Sequence, residues 1–206
     1  MLLSEDITVI AGWTKTGVMR FTIKEFLYPE ILADRNVYAV LTDTTAYHFV
    51  ELVGLAHFKD NLEDFIKTSD AVEDIRQEKY GGISTSHIHR DGFANWEEII
   101  TYVKHSGAGV LYIEDVAKFD TEVLKEILIL AAGNEIKVLL NDTSETRFYT
   151  LGLDLQTEMK HLKHSKTYGK LGAKVYVGQY KKNLEYFYLK DLDTKEVHSF
   201  NASNII

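Results

Sequence analysis

With 206 residues, 45% of them hydrophobic, 26% charged and 12% aromatic, the chain can bury one sizeable core and does not have the composition of a disordered tail. It contains no cysteine, which excludes disulfides and thiolate metal sites and fits a reducing compartment. A net charge of -8 argues against a broad basic face that wraps a polyanion. The opening MLLSEDITVI has acids where a signal peptide carries positive charge, and no apolar run approaches the roughly 20 residues of a membrane span. The expected location is therefore the cytoplasm, with no membrane partner.

In chain order, ITVIAG (Ile7 to Gly12) reads as a buried strand, being apolar but too short for a helix. VMRFTIKEFLYPEILA has helical spacing, with Phe21, Phe26, Leu27 and Ile31 on one face and the only proline, Pro29, expected to bend or end it. VYAVLT is a second strand and TAYHFVELVGLAHF a helix. NLEDFIKTSDAVEDIRQEKY reads as a polar helical excursion, and GGISTSHIH as a strand running out to a loop at Arg90 to Gly92. Asn95 is placed to cap a helix at WEEIITYVKH.

GVLYIEDV is a buried strand that ends in two acids. A helix follows from Thr121 to Ala132, with Gly133 placed to stop it in the left-handed conformation, and then a strand, IKVLLND. The stretch from Thr143 to Gly172 is mixed, and its basic cluster MKHLKHSKTYGK is read first as a solvated helix end and loop. AKVYVGQYKKNLEYFYLKDLDTKEVHSF reads as three antiparallel strands with turns at Lys181 to Asn183 and Asp191 to Thr194. Without repeats or linkers, residues 1–206 are expected to form one domain, an α/β sheet covered on both faces.

Strand, glycine loop, helix, acid-tipped strand, polar-tipped strand and closing meander is an order that resembles RecA-type motors, and most closely the helicase core of the DnaB type, from Ile7 to Phe200. The resemblance implies a RecA-like P-loop fold: a mainly parallel twisted sheet flanked by helices, with a C-terminal antiparallel meander. A working phosphate loop reads GxxxxGK[ST]: its backbone amides approach phosphate, its lysine neutralises charge and its hydroxyl ligates magnesium. Here Gly12, four residues and Gly17 supply the frame, but Val18 and Met19 follow. Lys15 inside the loop and Arg20 just beyond it are substitute cations, and neither restores the magnesium hydroxyl. The two glycines also serve an ordinary tight strand-to-helix turn.

By the same resemblance, Asp43 takes the place of the glutamate that polarises the attacking water, one methylene shorter, with a turn-forming aspartate as the plain alternative. Glu114 or Asp115 takes the place of the acid that holds magnesium through water, Glu114 being favoured by position; strand-end acids also cap helices. Asn141, Asp142 or Thr143 would sense the terminal phosphate. In YFYLKDLDTKEV, Lys190 matches the family's lysine while Leu192 stands where an arginine would reach into a neighbouring site. The nucleotide-facing set is then Gly12, Lys15, Thr16, Gly17, Arg20, Asp115 and Lys190, with Asp43 and Glu114 catalytic if the chain turns over ATP with magnesium.

Two losses that bear on one reaction point to a retained fold with the motor disabled. The expectation is a protein of DNA replication or recombination that works by binding a partner, with self-association also open. The rivals are an active ATPase using Lys15 or Arg20, and a single-strand-binding module using Lys160 to Lys170 with Tyr186 and Tyr188. His87 with His89, and His161 with His164, have spacings that share a face and are discounted as chance pairs among eight histidines. Glu97 and Glu98 are read as solvated.

Overall fold

The structure, a computed structural model, describes residues 6–12, 15–57, 83–87, 100–101, 103–105, 107, 109–142, 159–180 and 186–201. The expected helix at 61–80, the loop at 90–92, the cap at Asn95, the acids Glu97 and Glu98, His89, Thr143 and the turn at 181–183 lie outside them.

Eight strands form one sheet: β1 (Ile7–Gly12), β2 (Val37–Leu41), β3 (Ile83–His87), β4 (Val110–Ile113), β5 (Lys137–Asp142), β6 (Lys174–Tyr180), β7 (Tyr186–Asp191) and β8 (Val197–Asn201). Their order is β3-β2-β4-β5-β1-β6-β7-β8. The first six in that order run parallel, and the last two pairings are antiparallel. The fold class is thus α/β with a mostly parallel mixed sheet and an antiparallel C-terminal end. The short apolar runs of β1, β2 and β4 are buried along their whole length, as central parallel strands covered on both faces require.

Side-chain alternation divides the core between the two faces. Ile7, Val9 and Ala11 of β1 pack with Val138 and Leu140 of β5 against Leu124, Ile127, Leu128 and Ala131 of α4 (Thr121–Gly133). On the opposite face Ala39, Leu41, Tyr112 and Leu139 meet Met19, Ile23, Leu27 and Ile31, together with Phe49 and Val53 of α3 (Ala46–His57). The same face continues through Ile10, Val18, Phe21, Phe187 and Leu189, where the rings of Phe21 and Phe187 stack at 4.2 Å.

The first helical run is continuous from α1 (Lys15–Thr22) through a π-helical turn (Ile23–Leu27) to α2 (Tyr28–Leu32). Pro29 does not end it on the spot: it is the second residue after the π turn, and the run continues to Leu32. The α4 stop differs from expectation. Gly133 is the last helical residue, Asn134 caps with its side-chain amide on the Leu130 carbonyl (2.7 Å), and the left-handed residue is Glu135 at φ 58°. Gly172 fills that role for α5 (Ser165–Leu171), at φ 66°.

From β2 the chain goes outward to β3, whereas from β4 it goes inward to β5. Adjacent strands whose connections diverge mark a topological switch point, where α/β sheets open a crevice beyond their carboxyl ends.

Candidate functional site

Gly12, the last residue of β1, is pressed from two sides. A Cβ placed on it would collide with Cγ2 of Val18 and stand 2.9 Å from the Gly178 carbonyl oxygen. Only glycine fits, because the first turn of α1 lies directly over the strand end. Val18 is 1% exposed and Met19 3%, and they belong to two neighbouring apolar clusters. At about 1.5–3 kcal/mol for each fully buried aliphatic side chain, both are structural assets. Thr22 closes the turn by donating to the Val18 carbonyl at 2.8 Å. Lys15 and Thr16 open α1 and Gly17 lies within its first turn. The side chains of Lys15 and Thr16 lie outside the described part of the structure, and Arg20 is half-buried.

The loops at the switch point are tied to each other. Glu114, immediately after β4, accepts on Oε2 from the backbone N–H groups of Thr42 (2.7 Å), Asp43 (2.9 Å) and Thr44 (3.1 Å), and on Oε1 from the Thr44 hydroxyl (2.5 Å). Both carboxylate oxygens of the favoured magnesium acid are therefore committed to the loop after β2. Asp43, the base expected from the resemblance, forms an ion pair with Lys118 at 2.5 Å. Asp115 caps the short 3-10 turn Val116–Lys118 by accepting from Ala117 N–H at 3.1 Å. For Asp115 the plain reading as a capping acid describes the geometry.

Beyond the last paired residues of β4 and β5, Ile113 and Leu140, come Glu114 and Asn141. Asn141 is 1% exposed, and neither its amide oxygen nor its nitrogen has a hydrogen-bond partner among the described residues. The Tyr112 hydroxyl is likewise buried without a partner there. Burial first, then the Glu114 and Asp115 carboxylates, pushes its pKa well above the ordinary tyrosine value, so it stays a neutral O–H. Asp142 accepts from the Tyr168 hydroxyl at 3.0 Å.

A second set of ties reaches the same turn from the basic segment. Lys163 Nζ donates to the carbonyls of Ala117 and Phe119, both at 2.8 Å. His164, fully buried, holds the Val116 carbonyl from Nε2 (2.8 Å) and faces the Thr121 hydroxyl from Nδ1 (3.1 Å). With both nitrogens engaged by the protein, His164 is not presented as half of a metal pair with His161. Among the described residues no three His, Cys, Asp or Glu side chains are grouped to hold a metal ion. His48 pairs with Glu51 at 3.1 Å.

Two strands from β1, Lys190 lies in β7 opposite Val177, which is itself opposite Ala11, while Leu192 is 3% exposed and part of the central core. The position the resemblance gives to a trans-acting arginine is occupied by a packing residue. Tyr186 is exposed on β7 and its ring lies 6.4 Å from that of Tyr188. No helix of the described residues is long and apolar enough to cross a membrane.

Sequence reasoning found the acids but missed their partners. TDTT after β2 is a run of small polar residues at a strand end, a signal for a backbone-donating loop. Lys118, three residues beyond the acids, and the Lys163–His164 pair carried no local signal, since what they hold is remote in the chain. Neither a protein-family model nor a curated protein matches the sequence.

Proposed function

We propose that the chain is a RecA/DnaB-like domain in which packing has replaced nucleotide chemistry, and that it serves DNA replication or recombination by binding another protein as regulator, loader or structural partner. The element order supports the RecA-like part: strand, glycine turn, helix, an acid-tipped β4, a polar-tipped β5 and a closing meander. The observation that carries the loss of turnover is the burial of Val18 and Met19 at the start of the first helix, with Val18 folded onto Gly12. An aliphatic pair in the core neither neutralises a triphosphate nor ligates magnesium.

The rival ATPase would need Asp43 as base, and that carboxylate is held by Lys118. The rival single-strand binder would use the basic segment, where Lys160, Lys166 and Lys170 are exposed and Lys163 donates to two carbonyls, but the chain's net charge of -8 works against it. Calorimetric titration of the purified chain with ATP and magnesium should give no binding heat, while its addition should change the activity of a related replicative helicase or recombinase. Micromolar ATP binding lost on Lys15→Ala would establish the enzyme instead, and an unchanged response of every replication protein tested would remove the partner role.

A further inference from the structure

Thr42, Asp43 and Thr44 are consecutive, and their three N–H groups converge on one oxygen atom, Glu114 Oε2. Successive backbone donors aimed at one anionic atom form a nest, a concavity with a fixed positive potential. These donors are not the start of α3. Thr45 caps that helix, its side chain accepting from His48 N–H at 3.1 Å and its carbonyl from Phe49 N–H at 3.0 Å, and the nest precedes it. The Thr44 hydroxyl closes the ring on the second oxygen. Glu114 is 4% exposed, so its charge is drawn from water and compensated by four donors.

We propose that the loop after β2 is an anion-binding nest whose resident occupant is the protein's own Glu114, and that the ligand class it accepts when this side chain is removed is a small carboxylate. The carboxylate keeps the 42–44 loop in one conformation without any bound ligand and bars external anions from it. Lys118 draws the Asp43 carboxylate into an ion pair of its own, so the loop's own acid is satisfied elsewhere. The nest is a property of this loop whatever partner the chain binds.

Glu114→Ala removes a CH2 and a carboxylate, which acetate replaces almost atom for atom. Unfolding of the Glu114→Ala chain should be measured in sodium acetate and in sodium chloride at matched ionic strength. Acetate at about ten times its Kd should raise the folded-to-unfolded ratio about tenfold over chloride, saturably, and should do nothing for the unmodified chain. An equal response in the two salts, or an equal acetate effect on the unmodified chain, would overturn the proposal. A rise with phosphate but not with acetate would overturn the carboxylate assignment.

Should the alanine variant not fold, amide exchange decides. The N–H groups of Thr42, Asp43 and Thr44 should be protected in the unmodified chain, and Glu114→Gln should speed those three by about tenfold, because a hydrogen bond to a charged acceptor is exchanged for one to a neutral amide. Unprotected amides in the unmodified chain, or no selective change in the glutamine variant, would overturn it.

Discussion

Replacing Val18 by lysine and Met19 by threonine would write a full phosphate-loop signature behind Gly17, and the structure predicts that it restores nothing. Both side chains point into apolar clusters, so the pair would put an ammonium and a hydroxyl where Ile10, Phe21 and Leu139 now pack. A polar group buried without partners costs at least about 2 kcal/mol, so urea unfolding of the double variant should show a clearly lower midpoint, with ATP binding still absent. A variant of unchanged stability that binds ATP would show that these positions face a ligand. Gly178 gives a second residue-scale expectation. A Cβ there would strike the Phe187 ring, which is stacked at 4.2 Å on Phe21, a ring edged in turn by Phe200 at 4.9 Å. Gly178→Ala should cost about 1–3 kcal/mol as overpacking, read from denaturant unfolding.

At the scale of elements, the 3-10 turn after β4 is gripped from two directions, by Asp43 through Lys118 and by the carbonyl contacts of Lys163 and His164. Burial, the largest influence, lowers the His164 pKa below its ordinary 6.5; the bond to the Val116 carbonyl and Asp120 oppose this, and Lys163 adds to it. The unfolded chain then binds the proton more readily, so the contribution of this histidine is complete above about pH 6.5 and is lost as the pH falls toward the folded value. Unfolding midpoints taken from pH 7.5 down to 5 should fall more for the unmodified chain than for His164→Gln. Parallel curves would mean that His164 titrates alike in both states.

The elements themselves were largely legible. β1 lies at Ile7–Gly12 as its apolar run requires, and α3 and α4 fall within a residue or two of their periodic patterns. What escaped was end geometry. Gly133 carries the intrinsic preference for a left-handed stop, yet Asn134 bonds back to Leu130 and passes that conformation to Glu135. The basic cluster is the solvated helix end expected of it, with Lys160, Lys163, Lys166 and Lys170 exposed; what escaped is that Lys163 also donates to remote carbonyls, since such a lysine and one that only faces water look alike in sequence.

Over the whole molecule, the switch point of the sheet falls between β2 and β4, where α/β proteins usually receive a ligand, and here the chain closes it with its own side chains. The alternation of strands and helices was legible, but the sheet order, which makes the connections diverge and places Thr42 beside Glu114, was not. Pairing partners 70 or so residues apart leave no local trace. The candidate site was legible to the same degree: Gly12, Val18 and Met19 announced an altered loop, and only three dimensions showed Val18 lying on Gly12. The most direct measurement of the claim that this site is packed shut is phosphate release by the purified chain with ATP and magnesium. The prediction is a rate no higher than buffer alone. Sustained magnesium-dependent release, abolished by Asp43→Asn or Glu114→Gln in chains that remain folded, would contradict it.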